Sequence, residues 1–211
     1  MMLTEPLGQV SLPPDRAIRG DRVARTREAI IVATLSLAMD GEVAPIVRDI
    51  AMLAGVSART VFQHFADTTE LYVAVLNRVL VAMVAELPDP DPELSLDQRI
   101  DTMIDNRAAH FDKLVAMWPF VQALQQRSTE AAEQLLHMYS VSRIRLAQWF
   151  DGELAQLPDA ARERTLNALS MLLAPEGWIV MRHRLGLAVE SSRDEWSFMV
   201  HGLLTDKEAH A

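Results

Sequence analysis

The chain has 211 residues, half of them apolar, with ten prolines, eight glycines and no cysteine. That is enough for a sizeable core, and it excludes collagen-like, low-complexity and wholly disordered chains. The absence of cysteine excludes a disulfide framework, a thiolate zinc site, an iron–sulfur cluster and a cysteine nucleophile. The net charge is −9, but it is unevenly placed. Residues 1–87 carry eight arginines and no lysine against ten acids, and Arg16, Arg19, Arg22, Arg25 and Arg27 crowd into one short stretch. Charge on a contacting face, not the total, decides whether a protein meets nucleic acid. No uninterrupted run of about 18 apolar residues appears, so no membrane span is expected. The N-terminus lacks the basic start and apolar stretch of a signal peptide. The expectation is a soluble cytoplasmic protein.

In chain order, residues 1–20 read as a flexible arm with a basic end, because Pro6, Gly8, Pro13 and Pro14 interrupt any period. A helix is expected from an Asp21 cap to about Met39, with Ile30, Ile31, Thr34, Leu35 and Ala38 on one face. A second runs over about 46–54. A third, short one runs over about 58–65, capped by Ser57. Asp67 with Glu70 reads as a capping box for a fourth helix over about 68–86. Pro88, Pro90 and Pro92, interleaved with acids, mark the clearest boundary. The expected units are an N-terminal helical domain at 21–67, a connecting helix at 68–87 and a second domain at 88–211. In that second domain helices are expected over about 96–113 (Ser95 with Gln98 as capping box), from Pro119, over 129–151, over 159–185, and from a Ser192–Glu195 cap to about Thr205. No alternating strand pattern competes. The fold class is all-α, with about nine helices.

Residues 46–65, IVRDIAMLAGVSARTVFQHF, meet the requirements of a helix-turn-helix. Ile50, Ala51 and Ala54 give a small apolar face that a second helix can cross closely. Gly55 permits the turn, Val56 fills the angle, and Val61 and Phe65 return to the core. Ala58, Arg59, Thr60, Gln63 and His64 are left on outward faces of a helix sized for the major groove. Arg59 suits guanine and Gln63 suits adenine. Arg48, His64 and the amides beyond Ser57 suit phosphates.

The segment RDIAMLAGVSARTVFQHFAD resembles the TetR family of bacterial transcriptional regulators, and the likeness extends over about 22–87. It implies an N-terminal three-helix DNA-binding unit joined by a long fourth helix to a C-terminal helical domain that binds ligand and a second subunit. The DNA-contacting positions it implies are Arg48, Ser57, Ala58, Arg59, Thr60, Gln63, His64 and Thr68. Three positions depart from the family's pattern. Phe62 stands where Tyr is usual, Thr68 where Lys is usual, and Pro45-Ile46 where Thr is usual. Phe62 lacks the hydroxyl that would meet a phosphate, Thr68 lacks a charge, and Pro45-Ile46 puts one cap and one phosphate contact in doubt; the arginines of 16–27 are the candidates to compensate, by reaching phosphates or the minor groove.

In the second domain Met103, Arg107, His110, Met117, Trp118, Phe120, Trp149 and Met171 are the candidates to line an apolar ligand pocket. Arg107 and His110 share a helix face and suit an anionic group. The late apolar residues Leu172, Trp178, Ile179, Trp196, Met199, Val200 and Leu203 read as a subunit interface. A two-fold dimer would set two recognition helices about 34 Å or a small multiple apart, matching a near-palindromic site. No catalytic constellation, metal site or cofactor is expected, since nucleophile elbow, phosphate-cradling loop and zinc-protease motif are all missing. The expected function is a homodimeric DNA-binding regulator, a repressor released by a small apolar or amphipathic ligand. A ligand-independent or activating regulator, or a helical ligand-binding protein or enzyme without DNA binding, remain the alternatives.

Overall fold

In the computed structural model, which describes residues 14–91 and 93–205, the described chain is helical without strands. The elements are α1 (Pro14–Met39), α2 (Val47–Leu53), α3 (Ala58–His64), α4 (Thr68–Ala85), α5 (Leu96–Leu114), α6 (Trp118–Gln125), α7 (Thr129–Trp149), α8 (Asp151–Leu154), α9 (Asp159–Leu172), α10 (Pro175–Ile179), a π-helical turn (Val180–Arg184) and α11 (Val189–Thr205). The all-α expectation holds, with eleven α-helices among the described residues rather than about nine.

The differences have local causes. α1 starts at Pro14, so residues 14–20 are helix and not arm; residues 1–13 lie outside the described ones. Asp21 is therefore no cap but sits inside α1, paired with Arg25 one turn on at 3.2 Å. The expected 159–185 helix is broken at Pro175, whose ring and missing N–H cannot continue a helix. A Cβ on Gly177 would lie 2.2 Å from the Leu172 carbonyl oxygen, so only glycine permits this close return of α10 onto the end of α9. The 129–151 helix ends at Trp149, and Gly152 lies within α8. Ser192 is buried inside α11 and donates to the Ala188 carbonyl at 2.9 Å, so it caps nothing.

Two apolar clusters hold the molecule. The first joins α1–α4 through Ile30, Ile50, Val61, Phe65, Leu71 and Leu76, and also takes in Trp118, Phe120, Ala131 and Leu135 from α6 and the start of α7. The second packs α5, the end of α7 and α8–α11 around Phe111, Trp149, Phe150, Trp178 and Trp196. The cores therefore divide elsewhere than at the proline-rich break, because α6 folds back onto α4. Tyr72 of α4 meets Phe120 edge-on at 5.1 Å and donates to the Pro45 carbonyl at 2.6 Å. By length and composition α4 is apolar enough to cross a membrane. Glu70 and Arg78 interrupt it, and it packs against α1, α6 and α7, burying Leu71, Tyr72, Val73, Val75 and Leu76 of its first half.

Candidate nucleic-acid interface and ligand chamber

The α2–α3 pair has the expected helix-turn-helix build. Gly55 adopts φ +66, the left-handed region that carries the turn, and the Val56 amide closes back on the Ala51 carbonyl at 2.9 Å. Ile50, Ala51, Val61 and Phe65 are buried. Ser57 caps α3 by accepting from the Thr60 amide at 3.1 Å, and its hydroxyl also meets the Thr60 hydroxyl at 2.8 Å. Asp67 caps α4 through the Glu70 amide, while Glu70 reaches back to the Ala66 amide, one residue beyond a strict capping box. α2 has no side-chain cap, as Ile46 at that position requires.

The outward face of α3 presents Ala58, Arg59 and Gln63 to solvent, with Thr60 and His64 half-buried. Thr68 opens α4, also half-buried. Arg59 has no carboxylate partner among the described residues, so its fork of donors is free. Arg48 is exposed but bonded to Asp49 at 2.9 Å, which raises its pKa, first through the hydrogen bond and then through the charge. That neighbour offsets part of its attraction for a phosphate. Phe62 is 52% exposed beside Arg59 and Gln63, and Met52 and Leu53 are exposed at the end of α2. This apolar character on the outer face was not among the expected contacts.

The eight ligand candidates separate. Arg107 and His110 line a cavity of about 40 Å³ with Met83, Val84, Phe111, Met138, Tyr139 and Ser142. Met103 and Trp149 border a void of about 10 Å³, and Met117 and Trp118 another. These four are close-packed core. Phe120 is buried against Tyr72 and lines no described cavity. Met171 is 76% exposed on α9 and lines none either. Asn106, Tyr139 and Ser142, which do line the larger chamber, were missed. The i, i+3 spacing of Tyr139 and Ser142 on α7 was the available signal. An open groove of about 840 Å³ also runs along α4 between α1, α5 and α7.

Polar bonds fix the chamber's walls. The guanidinium of Arg107, 7% exposed, donates to the Leu173 carbonyl at the end of α9 (2.6 Å) and to the Ser142 hydroxyl (3.0 Å). His110 lies 2.6 Å from the Asn106 carbonyl through Nδ1 and 2.8 Å from the Glu86 carboxylate through Nε2. Asn106 in turn donates to the Glu86 carbonyl, so α5 clasps the residue that ends α4. Tyr139 donates to Glu176 at 2.6 Å. Burial, then that bond, push its phenol well above the ordinary range.

The expected interface residues need correction. Trp178, Trp196 and Val200 are buried within the protomer and offer no surface to a second one. Trp178 donates to Asp112 of α5, Trp196 to the Leu172 carbonyl, and the two indoles pack 4.8 Å apart. Leu172, Ile179, Met199 and Leu203 are half-buried against the cores. The exposed apolar residues of this region are Met171, Val180, Leu185 and Phe198.

An all-helical chain with a helix-turn-helix near one end and a small chamber beyond a long linking helix defines a class of two-part fold. No family model and no curated relative matches the sequence. Solved structures do. A TetR-family transcriptional regulator from Streptomyces coelicolor superposes with a TM-score of 0.71 at 17% identity, over 88% of this chain and 83% of that one. GusR of Salmonella enterica gives 0.58 at 18% identity, over 85% and 95%. NalD of Pseudomonas aeruginosa, the secondary repressor of the MexAB-OprM multidrug efflux pump, gives 0.53 at 22%, over 87% and 98%. The chain has the fold of the TetR-family regulators.

Proposed function

We propose that this protein is a cytoplasmic, sequence-specific DNA-binding transcriptional regulator, dimeric, and a repressor released from a near-palindromic operator by a small-molecule effector. The observation that carries it is the α3 face. A capped short helix crosses α2 at a Gly55 turn and presents a free Arg59 beside Gln63, with Arg48, Ser57, Ala58, Thr60, His64 and Thr68 around its rim. Two bonds from Arg59 to a guanine would discriminate by about 1–3 kcal/mol. The exposed Met171, Val180, Leu185 and Phe198 are the apolar residues of the α9–α11 region available to a second copy. The chamber bounded by α4 and α5 is the effector site of this reading. A ligand there would shift α4, which follows directly on α3, and alter the separation of two recognition helices. By linkage the DNA would weaken ligand binding by the same factor.

Fluorescence anisotropy tests it, with the DNA upstream of the protein's own coding region against a scrambled duplex, at two salt concentrations. The expected result is preferential binding to the upstream DNA, weakened by salt with a log–log slope of about −0.9 per phosphate neutralised. Arg59→Ala is expected to weaken it roughly tenfold or more. A folded protein that binds neither duplex at low salt overturns the reading.

A further inference from the structure

The shielded arginines of the C-terminal half follow one pattern, with one exception. Arg99 holds Glu153, Arg143 holds Glu163, Arg145 holds Asp89 and Arg182 holds Asp112. Arg107 is the most deeply buried of them, and it holds no carboxylate among the described residues. Its partners are a carbonyl and a hydroxyl, both neutral. A buried charge without a counter-charge is costly, and neutral acceptors repay only part of the lost hydration. Burial draws the guanidinium down to about 10, so it stays protonated at neutral pH. The Leu173 carbonyl explains why a cation is tolerated at the end of α9. It does not explain why that cation borders a cavity.

The other walls define the rest of the occupant. Met83 and Val84 from α4, Leu87 just beyond its end, Phe111 from α5 and Met138 from α7 are apolar. The Ser142 hydroxyl accepts from Arg107 and still has a proton to donate. We propose that the chamber binds an anionic amphiphile, its compact anionic head on Arg107 and Ser142 and its apolar tail against Met83, Phe111 and Met138. This rests on the regulator reading for its consequence to DNA, and on the Arg107 chamber alone for binding. At about 40 Å³ the chamber holds little more than ordered water. The tail is admitted by displacing α4, and the thioethers of Met83 and Met138 are the walls that adapt most easily. Displacing α4 works against the His110 and Asn106 clasp on Glu86, which makes the end of α4 the part that responds.

Isothermal titration of the full chain tests this with four probes whose alkyl tails differ by at most one carbon, each below its micelle concentration: decanoate, decyl phosphate, decanol and decyltrimethylammonium. Both anions are expected to bind at least about tenfold tighter than decanol, as a charge-assisted contact requires, and the cation not at all. The ratio of decanoate to decyl phosphate tells a carboxylate head from a phosphate one. Arg107→Met is expected to abolish the preference for anions and leave decanol unchanged. Ser142→Ala, the milder change, is expected to weaken the anions a few-fold with helical content intact. Decanol binding as tightly as the anions overturns the proposal, as does anion binding unchanged in Arg107→Met, or no binding by any probe. The anisotropy assay is read separately. Arg107-dependent anion binding without operator binding leaves the chamber standing and removes the regulator, and operator binding without anion binding does the reverse.

Discussion

Around α3 the polar bonds join near neighbours: Ser57 to Thr60, Asp67 to Glu70, Glu70 to Ala66. Around α5 they join residues far apart in the chain. Arg99 reaches Glu153, Arg107 reaches Leu173, Arg182 reaches Asp112, and Arg193 pairs with Asp105, 88 positions away. Both regions are rich in arginine, but they use it oppositely. The α3 end satisfies its helix termini locally and leaves Arg59 free for something outside. The α5 end turns its cations inward, where they tie helices together and, at Arg107, leave one charge facing a cavity. A surface built from short-range bonds stays free to meet a partner, and an interior built from long-range ones defines a chamber.

Four substitutions sharpen or break this contrast. The largest effect is expected at Trp196, fully buried beside Trp178 and bonded to the Leu172 carbonyl. Trp196→Ala should cost about 4 kcal/mol in urea unfolding. The loss should be equal at all protein concentrations. A loss that shrinks as concentration rises would return Trp196 to a subunit interface.

Arg99→Ala comes next. It leaves Glu153 shielded without its two guanidinium bonds, at 2.9 and 2.6 Å, and should cost roughly 3 kcal/mol. The hydrogen bond from Arg99, followed by its charge, holds the Glu153 carboxyl below the usual range against the opposing effect of burial. Its contribution is therefore complete above the ordinary glutamate pKa of about 4.3 and is lost as pH falls from there through the lowered folded value. Acid titration of stability should be steeper in the parent than in Arg99→Ala. Equal slopes would show the pair to be unimportant.

Tyr72→Phe should cost about 2 kcal/mol, because it strands the buried Pro45 carbonyl. It should also weaken operator binding, since that bond anchors the loop leading into α2. Thermal melting and anisotropy together check it, and unchanged DNA affinity would confine the bond to stability. Gly55→Ala is the smallest, roughly 1 kcal/mol. An added Cβ meets nothing within 4 Å, so the cost is that of the left-handed backbone alone. A loss of several kcal/mol in chemical denaturation would place a hidden clash at the turn.

The same contrast decides what could be read beforehand. Caps, the Gly55 turn and the outward set Arg59, Thr60 and Gln63 depend on residues three or four apart, and the chain displays such spacings directly. Arg107 and His110 were visible as a shared face. Their surroundings were not, because Ser142 and Leu173 reach Arg107 only through the packing of α7 and α9 on α5. Trp178 and Trp196 misled for the same reason. An apolar stripe shows that a helix is covered on that side, and only the tertiary arrangement shows whether the cover is α5 or another subunit. Pro175 and Ser192 went astray more simply: at Pro175 the local rule that proline ends a helix was passed over, and at Ser192 a capping rule was applied inside a helix that had already begun at Val189.

α7 begins in one apolar cluster, at Ala131 and Leu135, and ends in the other, at Leu146 and Trp149. At 21 residues it is a rod of about 32 Å. Neither cluster can melt without exposing apolar surface belonging to the other, so calorimetry should record one cooperative transition. The prolines at 88–92 are then a poor place to cut. A chimera that transplants the helix-turn-helix end must carry α6 and the first turns of α7 along with it, because Trp118, Phe120 and Leu135 complete the core on which that end is folded.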